Sequence, residues 1–406
     1  MAILEGIRIQ NYRALKDVTL GKVFDNETPA LTRLVAVIGA NGSGKSSLID
    51  AFEFLQDCLR EGVQAACDKP QRGGFERLRT QGSDGPICIE VQYREDNQAL
   101  TMSYILNINL NQNGQVYVVS EELHGWPTLS RMQPISTFLS IKNGRGDFNF
   151  IGRETVSNGL QSASHLQLDK PVLAVSIIGV LADYPHISAF HNFLSSWYFS
   201  FYDPQQSRPQ PLSRYDAHLS RTGDNLANYL QYIEREDPAG VQEMLERIAK
   251  KIPGIQAIKS LTTLDRRLLL EFKVEGFEHP FYAQDMSNGT LKTLAYLLLM
   301  EDPNPSQFIG IEEPENGLYS MFLGELVAEF ETFSRRQNGP QILITTHSQN
   351  LVDALIPEEV WILHKGKDGF SRLRRTADIR GVPELYEAGL PMGSLWYSNH
   401  FGTDRP

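Results

Sequence analysis

The feature that most constrains the fold of this chain is a glycine-rich octapeptide that directly follows a short apolar run. The run is LVAVI at 34–38, and the octapeptide GANGSGKS occupies 39–46. Five consecutive apolar residues predict a buried strand, and the spacing of apolar residues after the octapeptide predicts a helix. A strand, a glycine-rich turn and a helix in this order are typical of a loop that binds nucleotide phosphates.

Every required position of the pattern G-x-x-x-x-G-K-[ST] is occupied. The predicted ATP-binding residues of this segment are Gly39, Ala40, Asn41, Gly42, Ser43, Gly44, Lys45, Ser46 and Ser47. Glycines allow backbone N–H groups to turn towards phosphate oxygens, and the positive end of the helix dipole adds to the attraction. We expect Lys45 to neutralise the β- and γ-phosphates and the Ser46 hydroxyl to bind Mg²⁺.

A second apolar strand ends in adjacent acids, in the segment FIGIEEPENGLYS at 308–320. Nucleotide hydrolysis requires one carboxylate at the metal ion and another that faces the γ-phosphate and polarises a water molecule. By position, Glu312 is predicted to bind Mg²⁺ and Glu313 to act as the general base. Taken alone, the segment is equally typical of an acidic turn that closes a strand.

Two further segments carry candidate phosphate contacts. Ser287 precedes the apolar run LKTLAYLLLM and is a good N-cap, so the helix that starts there presents free N–H groups that suit an anion. A capped core helix is the alternative. His347 ends the apolar strand QILITT at 341–346, where an imidazole can contact the γ-phosphate or orient water. A purely structural histidine is the alternative there.

Together these segments resemble the RecF/SMC-like, OLD-like and AAA-type branch of the ABC-class P-loop ATPases, in a compact form without a coiled coil. The block Glu-Glu-Pro-Glu-Asn-Gly-Leu is similar to the family's (D/E)EPE-x-GLHP, although Tyr319 and Ser320 stand at the usual His-Pro positions. The resemblance implies that Ser287, Asn288 and Gly289 form the signature motif, which meets ATP bound to a second subunit.

The same resemblance implies two more elements. Arg13, in a segment similar to the family's Asn-Phe-Arg, is expected near the phosphates or ribose, or else as an ordinary surface arginine. The family's Q-loop glutamine is expected where the β subdomain joins the helical lobe, and both Gln161 and Gln167 are eligible.

The predicted fold is α/β, a two-lobed ABC-type ATPase head with a mixed parallel sheet core, an antiparallel β subdomain and a helical lobe. Residues 1–165 and 301–385 are expected to form the ATP-binding lobe, and 166–300 the helical lobe that ends in the signature helix. Residues 386–406 are a C-terminal tail in which the sequence shows no chemistry.

Charge and composition restrict the partners. The formal net charge is -11, which opposes indiscriminate binding to DNA or anionic lipid. The densest basic segment runs from Lys365 to Arg380 and is read either as a DNA contact or as a solvated face. The three cysteines have no metal or disulfide spacing, and no membrane segment or signal peptide is visible, so we expect reduced thiols in a cytoplasmic protein.

The resemblance implies hydrolysis of ATP with Mg²⁺, coupled to homodimerisation and to DNA or a co-encoded effector protein, in DNA repair or antiviral defence. A slow-turnover, nucleotide-gated assembly switch is the first alternative. A transporter ATPase subunit is the second, and the EPENGL block and the absence of a Leu-Ser-Gly-Gly-Gln signature argue against it.

Overall fold

The computed structural model describes residues 2–23, 28–95, 100–127, 136–149, 163–167 and 171–402. Within these ranges the chain forms an eight-stranded antiparallel sheet, a six-stranded core sheet and a three-stranded sheet. Helices cover both faces of the core sheet.

The strands, in chain order, are β1 Ala2–Tyr12, β2 Leu15–Gly21, β3 Leu34–Ile38, β4 Ile87–Glu95, β5 Leu100–Leu110, β6 Val116–Pro127, β7 Ser136–Lys142, β8 Arg145–Asn149, β9 Ala163–Gln167, β10 Tyr198–Ser200, β11 Ile255–Thr262, β12 Leu268–Val274, β13 Phe281–Tyr282, β14 Phe308–Glu312, β15 Gln341–Thr346, β16 Val360–Lys365 and β17 Ser371–Arg375.

The α-helices are α1 Lys45–Glu61, α2 Val63–Asp68, α3 Phe75–Leu78, α4 Ala174–Ile178, α5 Pro185–Ser195, α6 Leu226–Glu236, α7 Val241–Lys251, α8 Asn288–Met300, α9 Ser320–Arg335, α10 Gln349–Val352, α11 Val382–Glu387 and α12 Met392–Tyr397. Among the described residues the longest helix is α1, with 17 residues. No coiled-coil arm therefore projects from the described part of the chain.

The core sheet brings distant segments to one edge. Its strand order is β10-β14-β15-β3-β16-β17, and all its neighbouring pairs except β16–β17 are parallel. The carboxyl ends of β10, β14, β15, β3 and β16 consequently lie along the same edge. The mixed parallel core and the antiparallel subdomain that the sequence predicts are both confirmed.

Two hydrophobic cores flank the core sheet. One packs α1, α4 and α5 between the core sheet and the eight-stranded sheet. The other lies on the opposite face and joins α6 to α9 with the short C-terminal helices. The division into lobes at residues 165, 300 and 385 stays a prediction.

Several local expectations have clear outcomes. Strands are confirmed at the apolar runs before the glycine-rich loop and before the acidic block, which comprises residues 312–318. Trp396, in the C-terminal tail, is buried against the second core. The three cysteines are free thiols, and no helix in the described ranges is long and apolar enough to cross a bilayer.

A buried glutamate ties the antiparallel sheet to the helices beneath it. Glu121 of β6 is fully buried and accepts hydrogen bonds from the Tyr104 hydroxyl and from the N–H groups of Ala174 and Val175 at the start of α4. Burial raises the pKa of Glu121 to about 7, although these three donors lower it. Desolvation of the carboxylate therefore outweighs its hydrogen bonds.

We predict a pH-dependent stability that originates at Glu121. An unfolded glutamate titrates near about 4.3, so between that pH and the native pKa of about 7 the folded state binds more protons. The free energy of unfolding should then fall as pH rises through this window, by on the order of 3–4 kcal/mol from this group. Urea denaturation at several pH values measures it.

The Glu121→Gln variant cannot titrate at this position and should lose that part of the pH dependence. Glu246→Gln, on an exposed position of α7, is the matched control and should keep it. Identical pH profiles for wild type and Glu121→Gln would contradict the prediction.

Candidate functional site

The glycine-rich loop has the conformation that its sequence predicts. It follows β3, whose five residues are all buried, and it leads into α1 at Lys45. Gly42 has φ +77° and Gly44 has φ +110°, a left-handed region that glycine occupies without steric cost. The first turn of α1 consequently points its N–H groups into the loop.

Lys45 lies inside the loop. It is buried, and its Nζ donates to the carbonyl oxygens of Gly39 at 2.7 Å and Ala40 at 3.3 Å. Burial lowers the pKa of Lys45, whereas the carboxylates of Glu313, Glu315 and Glu312 act in the opposite direction. The cation of the loop and the acids after β14 therefore share one electrostatic environment.

The register of the core sheet sets the position of the acids. Glu312 pairs with Thr345, and Thr345 pairs with Val37 at the end of β3. Two strand spacings, roughly 10 Å, therefore separate the end of β14 from the end of β3. Glu312 and the loop lie at one sheet edge, as the sequence predicts for a site of this kind.

Glu313 is held in a strained backbone conformation. Its φ is +44°, which is costly for a residue with a side chain. Its N–H donates to the Thr345 carbonyl at 2.9 Å, and its own carbonyl accepts from the Asn316 N–H at 3.2 Å and from Lys292 Nζ at 3.2 Å. Three contacts from three segments therefore maintain this geometry.

The Glu313 side chain is clamped on both oxygens. Asn316 Nδ2 donates to Oε2 at 2.8 Å, and His347 Nδ1 lies 3.2 Å from Oε1. His347 is thus in contact with the predicted base, which is the position expected of a histidine that orients it. An imidazole whose Nδ1–H faces a carboxylate has its Nε2 as an acceptor.

Glu315 is a site residue to which the sequence analysis assigned no role. It is buried, and its Oε1 accepts from the Thr346 hydroxyl at 2.7 Å and from the His347 N–H at 2.9 Å. It therefore fixes the turn that carries His347. Its position in the acidic block was visible in the sequence, but its partners on β15 were not.

Lys292 is the second residue that sequence reasoning missed. It lies on α8, is buried, and donates from Nζ to the carbonyl oxygens of Glu313 at 3.2 Å and Asn316 at 2.9 Å. Burial lowers the pKa of Lys292 to about 8, although Glu315 and Glu313 raise it. A lysine inside the otherwise apolar run of α8 was the available signal.

The start of α8 is capped as predicted. Ser287 Oγ accepts from the Thr290 N–H at 3.1 Å, which confirms the N-cap. Gly289 packs against the acidic block, since a Cβ at that position would lie 2.9 Å from the Gly317 carbonyl oxygen. Ser287 and Asn288 remain exposed at this helix end.

The segment after β10 contacts the predicted signature motif at Asn288. The Oδ1 atom of Asn288 accepts from Gln205 Nε2 at 3.2 Å and from Arg208 Nη2 at 2.7 Å. Because β10 is parallel to β14, residues that follow β10 emerge at the same edge as the acids. The segment after β10 therefore contacts the start of α8 beside the site.

Of the two eligible Q-loop glutamines, the structure describes only Gln167. Gln161 lies outside the described residues. Gln167 ends β9, the edge strand of the eight-stranded sheet farthest from β1 and β2. Gln205 and Gln206 follow β10 at the site edge instead, and their position after a three-residue strand gave no sequence signal.

Arg13 and part of the basic segment form ion pairs with acids of the same chain. The guanidinium of Arg13 lies 3.0 Å from the Asp50 carboxylate of α1 and donates to the Gln71 carbonyl at 3.1 Å. The basic segment from Lys365 to Arg380 contains β17, where Arg372 pairs with Asp368 at 3.1 Å. Arg375 pairs with Asp378 at 3.6 Å. Intramolecular acids thus compensate part of the positive charge of this segment.

A cavity of about 130 Å³ adjoins the loop, lined by residues 39–43 and 362–365. A larger one, about 470 Å³, lies beside the distal half of α1. It is lined by Glu53, which pairs with Arg221 at 3.1 Å, and Asp57, which pairs with Lys69 at 2.6 Å. The smaller cavity is the one next to phosphate-binding geometry.

The described residues fit a nucleotide with Mg²⁺. Ser43 Oγ, within the loop, is buried and has no hydrogen-bond partner among the described residues. Ser46 and Glu312 supply the hydroxyl and carboxylate oxygens that Mg²⁺ prefers. The described ranges contain no group of three or more His, Cys, Asp or Glu residues placed to hold a metal.

Comparisons with known proteins agree with this geometry. The family model described as "AAA domain, putative AbiEii toxin, Type IV TA system" matches residues 34–353. No curated protein matches the chain in sequence.

Solved structures of SMC heads share the fold. An SmcHead bound to the C-winged helix domain of ScpA aligns with TM-score 0.54 and 12% identity, over 92% of this chain and 97% of that one. An Smc head with an extended coiled coil, bound to the C-terminal domain of ScpA derived from Pyrococcus furiosus, aligns with TM-score 0.53 and 12% identity, over 92% and 96%. These likenesses confirm the two-lobed ABC-type head fold.

We predict that Lys292 supports turnover through the backbone of Glu313. Lys292→Met removes a charged donor from two carbonyl groups, each such bond being worth about 1.5–3 kcal/mol. Because the Glu313 geometry then relaxes, kcat for ATP should fall about ten- to a hundredfold, with the Kd for ATP changed less than about threefold. A phosphate-release assay and calorimetry measure the two quantities.

Lys292→Arg keeps the charge and the donors and should lose less activity than Lys292→Met. Lys250→Met, on an exposed position of α7, controls for loss of a lysine on a helix. A Lys292→Met enzyme with wild-type kcat would show that the hydrogen bonds from Lys292 to the two carbonyl groups have no part in turnover.

Proposed function

We propose a function that starts from one fact: this chain belongs to the family described as AAA domain, putative AbiEii toxin, Type IV TA system. It binds ATP with Mg²⁺ at the glycine-rich loop and hydrolyses it, and two subunits associate around the nucleotide. The observation that carries this proposal is the Glu313 carboxylate, held by Asn316 and His347 at the sheet edge that Lys45 occupies.

The loop residues bind the triphosphate. Backbone N–H groups of residues 39–47 donate to phosphate oxygens, and Lys45 exchanges its two carbonyl contacts for contacts with the β- and γ-phosphates. Ser46 and Glu312 would hold Mg²⁺, which when bound would neutralise negative charge on the phosphates. The support for this assignment is the pairing of Glu312 with the strand next to β3.

Glu313 accepts the proton of the attacking water. Its two carboxylate oxygens have about four lone-pair sites, so the bonds from Asn316 and His347 leave capacity for a water molecule. His347 orients that carboxylate. Glu315 keeps the His347 backbone in place, and the left-handed conformation of Glu313 directs its side chain.

The signature residues act on ATP of the second subunit. Ser287, Asn288 and Gly289 begin α8, and the cap leaves the remaining N–H groups of the first turn available to an anion. Gly289 packs on Gly317 of its own chain, so this helix end is fixed next to the acidic block. A second copy placed across this edge completes each site.

The dimer is proposed to act in the cytoplasm with DNA or with a co-encoded effector protein. The family description names a toxin–antitoxin system, which supports a defence role over DNA repair. The SMC heads of similar fold carry a bound ScpA domain, which supports a protein partner here. Lys365, Lys367 and Arg374, which are exposed, are the candidate contacts for DNA.

Lys45→Ala should abolish measurable ATP binding, because the phosphates lose a buried positive charge and its hydrogen bonds. Calorimetric titration with ATP and Mg²⁺ tests it. Lys259→Ala, on an exposed position of β11, is the matched control and should bind like wild type. If Lys45→Ala retains wild-type affinity, the glycine-rich loop is not the nucleotide site.

Glu313→Gln keeps the shape of the side chain but removes the base, so ATP should bind and persist and the dimer should accumulate. Ser287→Arg should bind ATP yet stay monomeric, since a bulky side chain blocks the approach of the partner's phosphates. Size exclusion with light scattering and a phosphate-release assay measure both. Normal hydrolysis by Glu313→Gln would refute the base assignment.

Mixed dimers test the shared site directly. Lys45→Ala and Ser287→Arg subunits, each inactive alone, should regain part of the activity when mixed, because one pocket per mixed dimer is intact. No regain on mixing would contradict a site built from two chains. A wild type that dimerises with ATP but releases little phosphate until a partner is added would instead identify the slow-turnover switch.

A further inference from the structure

A serine of the last strand, β17, forms a hydrogen bond with the backbone of the glycine-rich loop. Ser371, the first residue of β17, is buried, with only 2% of its surface exposed. Its hydroxyl donates to the Ser43 carbonyl oxygen at 2.6 Å, and its N–H donates to the Ala14 carbonyl at 2.9 Å. One side chain thus joins the loop to a strand 328 residues away in sequence.

This bond determines which way one peptide group of the loop faces. In a trans peptide the C=O and the following N–H point in opposite directions. Because the Ser43 carbonyl points towards Ser371, the Gly44 N–H points away from Ser371. Among the described residues no acceptor lies on that amide.

The contact is close and rigidly supported. A Cβ on Gly44 would lie 2.6 Å from Ser371 Oγ, and a Cβ on Gly39 would lie 2.2 Å from the Leu363 carbonyl oxygen. Both contacts come from the β16–β17 hairpin, in which Ser371 pairs with Lys365 and Leu363 with Leu373. The hairpin therefore packs against two positions of the loop.

We propose that Ser371 is a positioning residue for nucleotide binding, which presets the Gly44 amide as a donor to the phosphates. This inference rests on the proposed binding of ATP at the loop. The amide meets the phosphates both in the bound substrate and in the transition state, so its loss weakens binding uniformly. Uniform binding raises KM and leaves kcat unchanged.

Ser371→Ala tests the inference in the full-length protein. The Kd for ATP and for ADP and the KM for ATP should each rise about five- to tenfold, the loss expected for one buried hydrogen bond. The kcat should change less than about twofold. Ser371→Cys, of similar size but with a weak donor, should shift the same quantities in the same direction and serves if the alanine variant does not fold.

Thr376→Val is the matched control. Thr376 follows β17, is fully buried, and donates its hydroxyl to the carbonyl oxygens of Pro357 and Val360 at 2.8 and 3.0 Å, away from the loop. It should lose stability in urea denaturation without a change in nucleotide affinity.

Three results would overturn the inference. Equal weakening by Ser371→Ala and Thr376→Val would show that Ser371 is only structural, and wild-type affinity of both Ser371 variants would show that the bond has no effect on binding. Failure of the wild type itself to bind ATP would refute the proposed function, and the inference with it. The first two results leave the proposed function intact, so the failures are distinguishable.

Discussion

Parallel pairing of β14, β15 and β3 is the constraint on which the rest of the site depends. Parallel strands place all their carboxyl ends at one edge of a sheet. The pairing of Glu312 with Thr345, and of Thr345 with Val37, aligns the acids with the start of the glycine-rich loop. A slip of one residue in either pairing would turn the acids towards the other face of the sheet.

The charged residues at that edge need support because each lies in an unfavourable environment. Glu313 occupies a left-handed conformation, Glu315 is buried, and Lys45 and Lys292 are buried cations. Their opposite charges lower the cost of removing each from water. The result is a mutually dependent group of charges, in which Lys292 of α8 donates to the Glu313 carbonyl oxygen.

The start of α8 and the glycine-rich loop are each in direct contact with a neighbouring element. The start of α8 is contacted by Arg208 and Gln205 and packs on Gly317. The glycine-rich loop contacts the β16–β17 hairpin through the hydrogen bond from Ser371 to the Ser43 carbonyl oxygen. A displacement of the segment after β10, or of the hairpin, would therefore shift the residues proposed to bind and hydrolyse ATP through direct contacts.

Local patterns in the sequence determined the strand–loop–helix unit at 34–61, the acidic end of β14, the cap at Ser287 and the strand before His347. Each is set by residues that are neighbours in the chain, through hydrophobic periodicity, glycine conformations and capping. Tertiary structure alone decided that Lys292 reaches Glu313, that Glu315 holds His347, and that Ser371 meets Ser43. It also placed Gln205, and not Gln167, at the site edge. These contacts join residues separated by many elements, and their geometry follows from strand order and packing, which no local pattern encodes.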